Sequence, residues 1–165
     1  DDWEQLLWYI KIKFSDSFAG YAVKLEHGEA KGLHAHSVFF LDGNVVRTDA
    51  RIGRIFGEYW ESEVTEGLGV HFNCNTSDYK ATLKVCGLGT FTGQEPAFRD
   101  GIWIIADYLS KPDVVVRLML PERTKIFRRG SLSEKQKLKL EAVRKKQTIG
   151  IIDPQPKHEQ PRVLA

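Results

Sequence analysis

The sequence predicts an α+β domain: an antiparallel sheet with helices packed on one face. Three observations carry this expectation. A polar, Gly-bracketed turn, His27-Gly28-Glu29-Ala30-Lys31-Gly32, separates two β-like runs and folds them into a hairpin. Apolar residues recur at helical spacing in three other stretches. The order along the chain is helix, hairpin, helix, short strands, helix, strand, with no repeat and no low-complexity tract.

The first helix covers residues 2–14, where Trp3, Leu6, Leu7 and Ile10 form one stripe. Phe14-Ser15-Asp16-Ser17 breaks it. Gly20 to Glu26 is the first strand, and Leu33 to Leu41 closes the hairpin before Asp42-Gly43-Asn44. Thr48 or Asp49 caps a second helix, in which Ile52, Ile55, Phe56, Tyr59, Trp60 and Val64 recur through about residue 65. Val70 to Asn75 is a short strand or extended segment, 76–82 is polar, and Val85 to Phe91 is a further short strand. Pro96 suits the first turn of a helix reaching Ser110, with Phe98, Ile102, Ile105 and Leu109 as its buried stripe and Lys111-Pro112 as its stop. Val114 to Leu120 is β-branched and alternating, so it reads as a strand. Residues 134–147 form a Lys-rich helix capped by Ser133, and the proline-bearing tail reads as disordered. Domain boundaries follow: 1–131 as the main domain, 132–148 as a basic helix, 149–165 as a tail.

With 165 residues the chain can bury one real core. No apolar run in this sequence approaches the ~20 residues that span a bilayer. The acidic start, Asp1-Asp2-Trp3-Glu4, reads as an entry in mid-stream rather than as a signal peptide. Cys74 and Cys86 form no metal-ligand pair and are expected as reduced thiols in a cytoplasmic protein. The net charge of +2 says little about nucleic acid, but eleven Lys and Arg against three Glu between Arg117 and Lys146 make a basic stretch able to track phosphates. A solvated helix face would look the same.

The stretch with the most chemistry is Gly32 to Phe40. Strand side chains alternate, so His34 and His36 share one face with Cα atoms about 6.5–7 Å apart. Glu26 sits opposite His34 in a simple hairpin register, giving two imidazoles and one carboxylate around open positions. Such a set suits a hard or borderline divalent ion that polarises an oxygen ligand. The competing reading is two histidines on a solvent face that bind nothing. His27 faces away from Glu26, and His71 is distant in sequence. On the helix 96–110, Tyr108 lies just off the buried stripe, and Lys111 follows it at i+3. An ammonium beside a phenol favours the phenolate, the form able to attack phosphorus. Trp60 and Trp103 lie in helical stretches and are expected to pack in the core or at an interface rather than to stack on bases.

His34-Ala35-His36 followed by Tyr108-Leu109-Ser110-Lys111 resembles the HUH endonucleases, whose signature is His-hydrophobe-His with a catalytic tyrosine on a helix. Further blocks are similar to the inovirus-type replication endonucleases, the filamentous-phage gene-two-like proteins of phages, prophages and satellites. These blocks are Leu25-Glu26-His27-Gly28, Phe39-Phe40-Leu41-Asp42-Gly43, Ile55-Phe56-Gly57-Glu58-Tyr59-Trp60, Phe72-Asn73-Cys74-Asn75, Ala106-Asp107-Tyr108 and Arg123-Thr124-Lys125-Ile126-Phe127-Arg128-Arg129-Gly130. The resemblance spans about residues 20–130.

It implies an RRM-like HUH core with the histidine pair on a central strand and the tyrosine on a helix facing it. It implies nicking of one DNA strand at a replication origin, a 5′-phosphotyrosine link and a free 3′-OH that primes rolling-circle synthesis. His34 and His36 are then ligands of Mg²⁺ or Mn²⁺, Glu26 the candidate third ligand, Tyr108 the nucleophile and Lys111 its charge partner. Arg123, Lys125, Arg128 and Arg129 are candidates to grip the DNA backbone. The implied partner is origin single-stranded DNA in a bacterial host cytoplasm, with host replication proteins as candidate further partners. Two departures stand out. The family carries a further strand upstream of residue 1, and Ile104 and Pro112 flank Tyr108 at four residues either side, so this is a single-tyrosine version. Two other functions stay open: an RRM-like module that holds nucleic acid without cutting it, and a metal-stabilised domain with no nucleic acid.

Overall fold

The computed structural model describes residues 1–130 together with Glu134, Leu138 and Ala142. The chain divides into two compact units, Asp1–Ser131 and Leu132–Ala165. Glu134, Leu138 and Ala142 are helical; the rest of the expected basic helix, and the tail, lie outside the described residues.

Helix α1 spans Asp2–Lys13, opened by Asp1, whose carboxylate accepts from the Trp3 N–H at 3.1 Å. Strands β1 (Phe18–Gly28) and β2 (Gly32–Leu41) form the expected hairpin, each longer than the residues alone suggest. Gly32 closes the turn at φ 63°, a left-handed conformation that a side chain would resist. Helix α2 covers Asp49–Tyr59 and widens into a π turn at Trp60–Val64. There the Thr65 N–H reaches back five residues to the Trp60 carbonyl at 2.9 Å, and the Thr65 hydroxyl donates to the same oxygen. Helix α4 spans Pro96–Ser110, the expected bounds, with Gly101 and Leu109 buried and Phe98, Ile102 and Ile105 partly so.

Several expectations are corrected. Val114–Met119 is a helix, α5, rather than a strand. Asp113 caps it, accepting from the Val116 N–H at 3.0 Å, and only Val116 is fully buried. A local side-chain cap thus overrides β-branched composition, which is a weak, context-bound preference. Residues 85–91 form no strand, 70–75 pairs with no strand, which leaves the extended-segment alternative, and the polar stretch 76–82 holds a short helix, α3 (Ser77–Ala81), capped by Thr76. The third strand, β3 (Phe127–Gly130), falls where none was expected. It pairs antiparallel with β1, giving the strand order β2-β1-β3. The histidine strand β2 is therefore an edge of the described sheet, and β1 is its centre.

The two sheet faces have different partners. The face of Tyr21, Val23 and Phe39 packs on α1 and α2. Trp3 meets the rings of Tyr21 and Phe39 at 5.7 and 5.9 Å, and Phe39 meets Phe56 edge-on at 4.9 Å. Leu6, Ile10, Ile52 and Phe56 are the buried heart of this core. The opposite face carries Lys24, Glu26, His34 and His36, and meets Tyr108 from α4. Helices thus engage both faces, not one. Trp60 packs against the core as expected, whereas Trp103 is 70% exposed and lines a groove of ≈320 Å³ with Phe98 and Ile102. Both cysteines are free thiols, and among the described residues no helix is long and apolar enough to cross a membrane.

Candidate metal centre and facing tyrosine

The hairpin register does the first part of the assembly. Glu26 pairs with His34 and Lys24 with His36, so these four side chains project from one face in two adjacent rungs. One nitrogen from each imidazole and one carboxylate oxygen of Glu26 lie within 4.8 Å of one another, the spacing of a three-ligand site. Glu26 Oε2 is 3.0 Å from His36 Nε2 and 3.8 Å from His34 Nε2. The rings of His34 and His36 stand edge to face at 4.9 Å.

The His34 ring is oriented from behind. Its Nδ1 lies 3.0 Å from the Gly32 carbonyl, which can only accept, so Nδ1 carries the hydrogen. That leaves the Nε2 lone pair facing Glu26. A ligand histidine in metal sites is commonly fixed in this way by a backbone carbonyl on its other nitrogen. Two imidazole nitrogens and a carboxylate oxygen, with solvent-side positions open, fit a divalent ion of hard or borderline character. The residues present therefore form a possible metal-binding triad.

Helix α4 supplies the fourth group. The Tyr108 hydroxyl donates to Glu26 Oε2 at 2.5 Å and lies 2.9 Å from His36 Nε2. Its ring stands edge to face on His36 at 5.0 Å. Tyr108 is thus in direct contact with two of the three candidate ligands, across 72 and 82 residues of sequence. Burial, then the hydrogen bond to and the negative charge of Glu26, push the Tyr108 phenol up to about 12. Burial alone would raise the Glu26 carboxyl, but hydrogen bonds from Lys24 and Tyr108 and the nearby positive charge outweigh it, so its pKa lies below the ordinary value. Burial lowers the pKa of His36, only partly offset by Glu26, which keeps the neutral, ligand-competent ring.

The lysine beside Tyr108 is Lys24, not Lys111. Lys111 Nζ pairs with Asp107 at 3.1 Å, both side chains well exposed. Lys111 still leaves the helix at a helical φ of −64°, and its i,i+4 neighbour Asp107 takes its charge. Lys24 is 3% exposed, bonds Glu26 Oε1, and lies 5.2 Å from the centre of the Tyr108 ring. Sequence reading missed it because a strand lysine looks like a solvent-facing residue. The signal was there: Lys24 is two residues before Glu26 and so shares its face. Asp113 was also missed. Besides capping α5 it accepts from the His27 N–H at 3.0 Å, tying α5 to β1.

The expected DNA-gripping residues Arg123, Lys125, Arg128 and Arg129 line one groove of ≈690 Å³ at β3, on the far side of β1 from the histidines. Arg128 is already paired, with Asp1 at 2.8 Å and Glu4 at 3.3 Å. Of the spare histidines, His71 pairs with Glu61 at 3.0 Å. Comparisons with protein-family models, curated proteins and solved structures give no match to this chain.

Proposed function

We propose that this protein is a metal-dependent endonuclease that nicks single-stranded DNA at a replication origin through a tyrosine nucleophile, with an RRM-like core of the HUH type. The observation that carries the reading is the direct contact of the Tyr108 hydroxyl with Glu26 and His36. A nucleophile and the group that polarises its target must stand within a few ångströms of one phosphate. In this reading Glu26, His34 and His36 hold Mg²⁺ or Mn²⁺, which supplies Lewis-acid polarisation of a phosphate oxygen.

The chain's own residues do the rest. The Tyr108 phenol, 40% exposed, gives up its proton to solvent while Glu26 stays ionised. Its oxygen forms a bond to phosphorus while the bond from phosphorus to the 3′ oxygen breaks. The products are a 5′-phosphotyrosine and, once that oxygen is protonated, a free 3′-OH able to prime synthesis. Reversal rejoins the ends. Arg123, Lys125 and Arg129 offer charge for the DNA backbone, the partner is origin single-stranded DNA, and the setting is the cytoplasm of a bacterial host.

A second reading, a module that holds single-stranded nucleic acid without cutting it, is favoured by one observation: the exposed cations Arg123, Lys125 and Arg129 line a groove at β3, away from Tyr108. The same experiment separates the two. The full chain is incubated with Mn²⁺ and single-stranded DNA from its own replicon, then denatured. An adduct that survives denaturation and vanishes in Tyr108→Phe supports the nickase. Salt-sensitive binding without an adduct, or an adduct that persists in Tyr108→Phe, removes it.

A further inference from the structure

We propose that Lys24 is a positioning residue that sets the spacing between the carboxylate ligand on the sheet and the tyrosine on α4; the inference rests on Glu26 and Tyr108 having the roles assigned above. Lys24 is the one cation among the four side chains that the hairpin brings to this face, and only 3% of it is exposed. Its ammonium bonds Glu26 Oε1 and reaches the main-chain carbonyl of Tyr108 at 3.3 Å. The same nitrogen sits 5.2 Å from the centre of the Tyr108 ring.

These contacts divide the work of the carboxylate. Oε1 is turned inward to the lysine, and Oε2 is left for the Tyr108 hydroxyl and the two imidazoles. The carbonyl of Tyr108 lies in the last turn of α4, where it also accepts from the Lys111 N–H at 3.3 Å and where the helix dipole favours a cation. Holding that carbonyl and the ring of the same residue leaves the hydroxyl little room to wander. A lysine that only neutralised Glu26 would need neither contact with Tyr108. Its two hydrogen bonds, one to the strand carboxylate and one to the helix carbonyl, make a bracket between two elements that no local sequence pattern links.

The test uses the full chain with 3-fluorotyrosine in place of its five tyrosines, read by ¹⁹F NMR with Mn²⁺ binding measured in parallel. The Tyr108 line is the one missing from Tyr108→Phe. In Lys24→Met, the Tyr108 line is expected to move toward the position of free fluorotyrosine, and Mn²⁺ affinity to fall about 10–100-fold, as for loss of a group that orients a ligand. Lys24→Arg keeps charge and donors and is expected to restore most of both. A Lys24→Met chain whose Tyr108 line stays at the wild-type position overturns the proposal, as does a Lys24→Arg chain no better than Lys24→Met. If the methionine variant does not fold, Lys24→Gln takes its place under the same criteria. If wild type binds no Mn²⁺, the line position decides alone. A wild type that forms no DNA adduct ends the nickase reading and leaves both readouts of Lys24 intact.

Discussion

Glu26 is where three demands meet. It faces Lys24 on one oxygen, and on the other it accepts from Tyr108 beside two imidazoles. Because its charge is used by a buried lysine, neutralising it has a stability effect as well as a binding effect. Breaking a buried pair by removing one partner typically costs about 3–5 kcal/mol; this carboxylate is part-exposed, so about 2–3 kcal/mol is expected for Glu26→Gln. Urea unfolding at neutral pH measures it, and Mn²⁺ titration of the same variant should show affinity falling at least about tenfold. A variant as stable as wild type would mean that Lys24 finds another partner. His34→Ala makes the useful contrast. His34 contacts neither Lys24 nor Tyr108 by hydrogen bond, so it should lose Mn²⁺ affinity with a stability change under about 1 kcal/mol.

At the scale of elements, α4 is the part that must be placed correctly, and two local devices place it. At its start, the Glu95 carboxylate accepts from the Thr92 N–H at 3.0 Å and the Gly93 N–H at 3.0 Å, which brings its pKa down to about 2. A carboxyl depressed on folding adds stability above its unfolded value, near 4.5, and loses it as pH falls toward 2. Glu95→Gln should therefore melt below wild type at pH 7, with the gap closing between about pH 4.5 and 2 in a series of thermal melts. In mid-helix, Gly101 crosses the backbone of Gly87 so closely that a Cβ on Gly87 would stand 2.5 Å from the Gly101 carbonyl carbon. Gly101→Ala should cost about 1–3 kcal/mol by chemical denaturation, since backbone cannot yield as a side chain can. How much of this was legible varies with how local the cause is. The bounds of α4 follow from Pro96, the apolar stripe and Lys111-Pro112, all within the segment. The hairpin and the Glu26–His34 rung follow from a short turn. Helix α5 was misread because one carboxylate, Asp113, outweighed three valines. β3 was missed because four residues of mixed character become a strand only by pairing with a distant β1. That same pairing puts β1 at the centre of the described sheet and β2 at its edge, which no local pattern states.

For the molecule as a whole, the sheet separates two jobs. One face is closed by the α1–α2 core, and the other holds the candidate metal-ligand cluster, with the basic groove at the β3 side. Strand alternation then sorts the arginines of β3. Arg128 pairs with Val23, on the core face, and its guanidinium is taken by Asp1 and Glu4. Arg129 pairs with Ala22, on the face of Lys24 and Glu26, and is exposed. If single-stranded DNA runs across the cluster face, these neighbours in sequence should differ in effect. Each phosphate contact on a single strand adds about 0.7 to the slope of log affinity against log salt. Arg129→Ala should lower the slope by about that amount and weaken all sequences alike. Arg128→Ala should leave the slope nearly unchanged, because its charge is already neutralised, and should instead lower the melting temperature by releasing α1. Fluorescence anisotropy of a labelled oligonucleotide over a salt series measures both slopes. Equal slopes for the two variants would mean that DNA does not follow the face on which Glu26, His34 and His36 converge, and the nucleophile would then have no strand to attack.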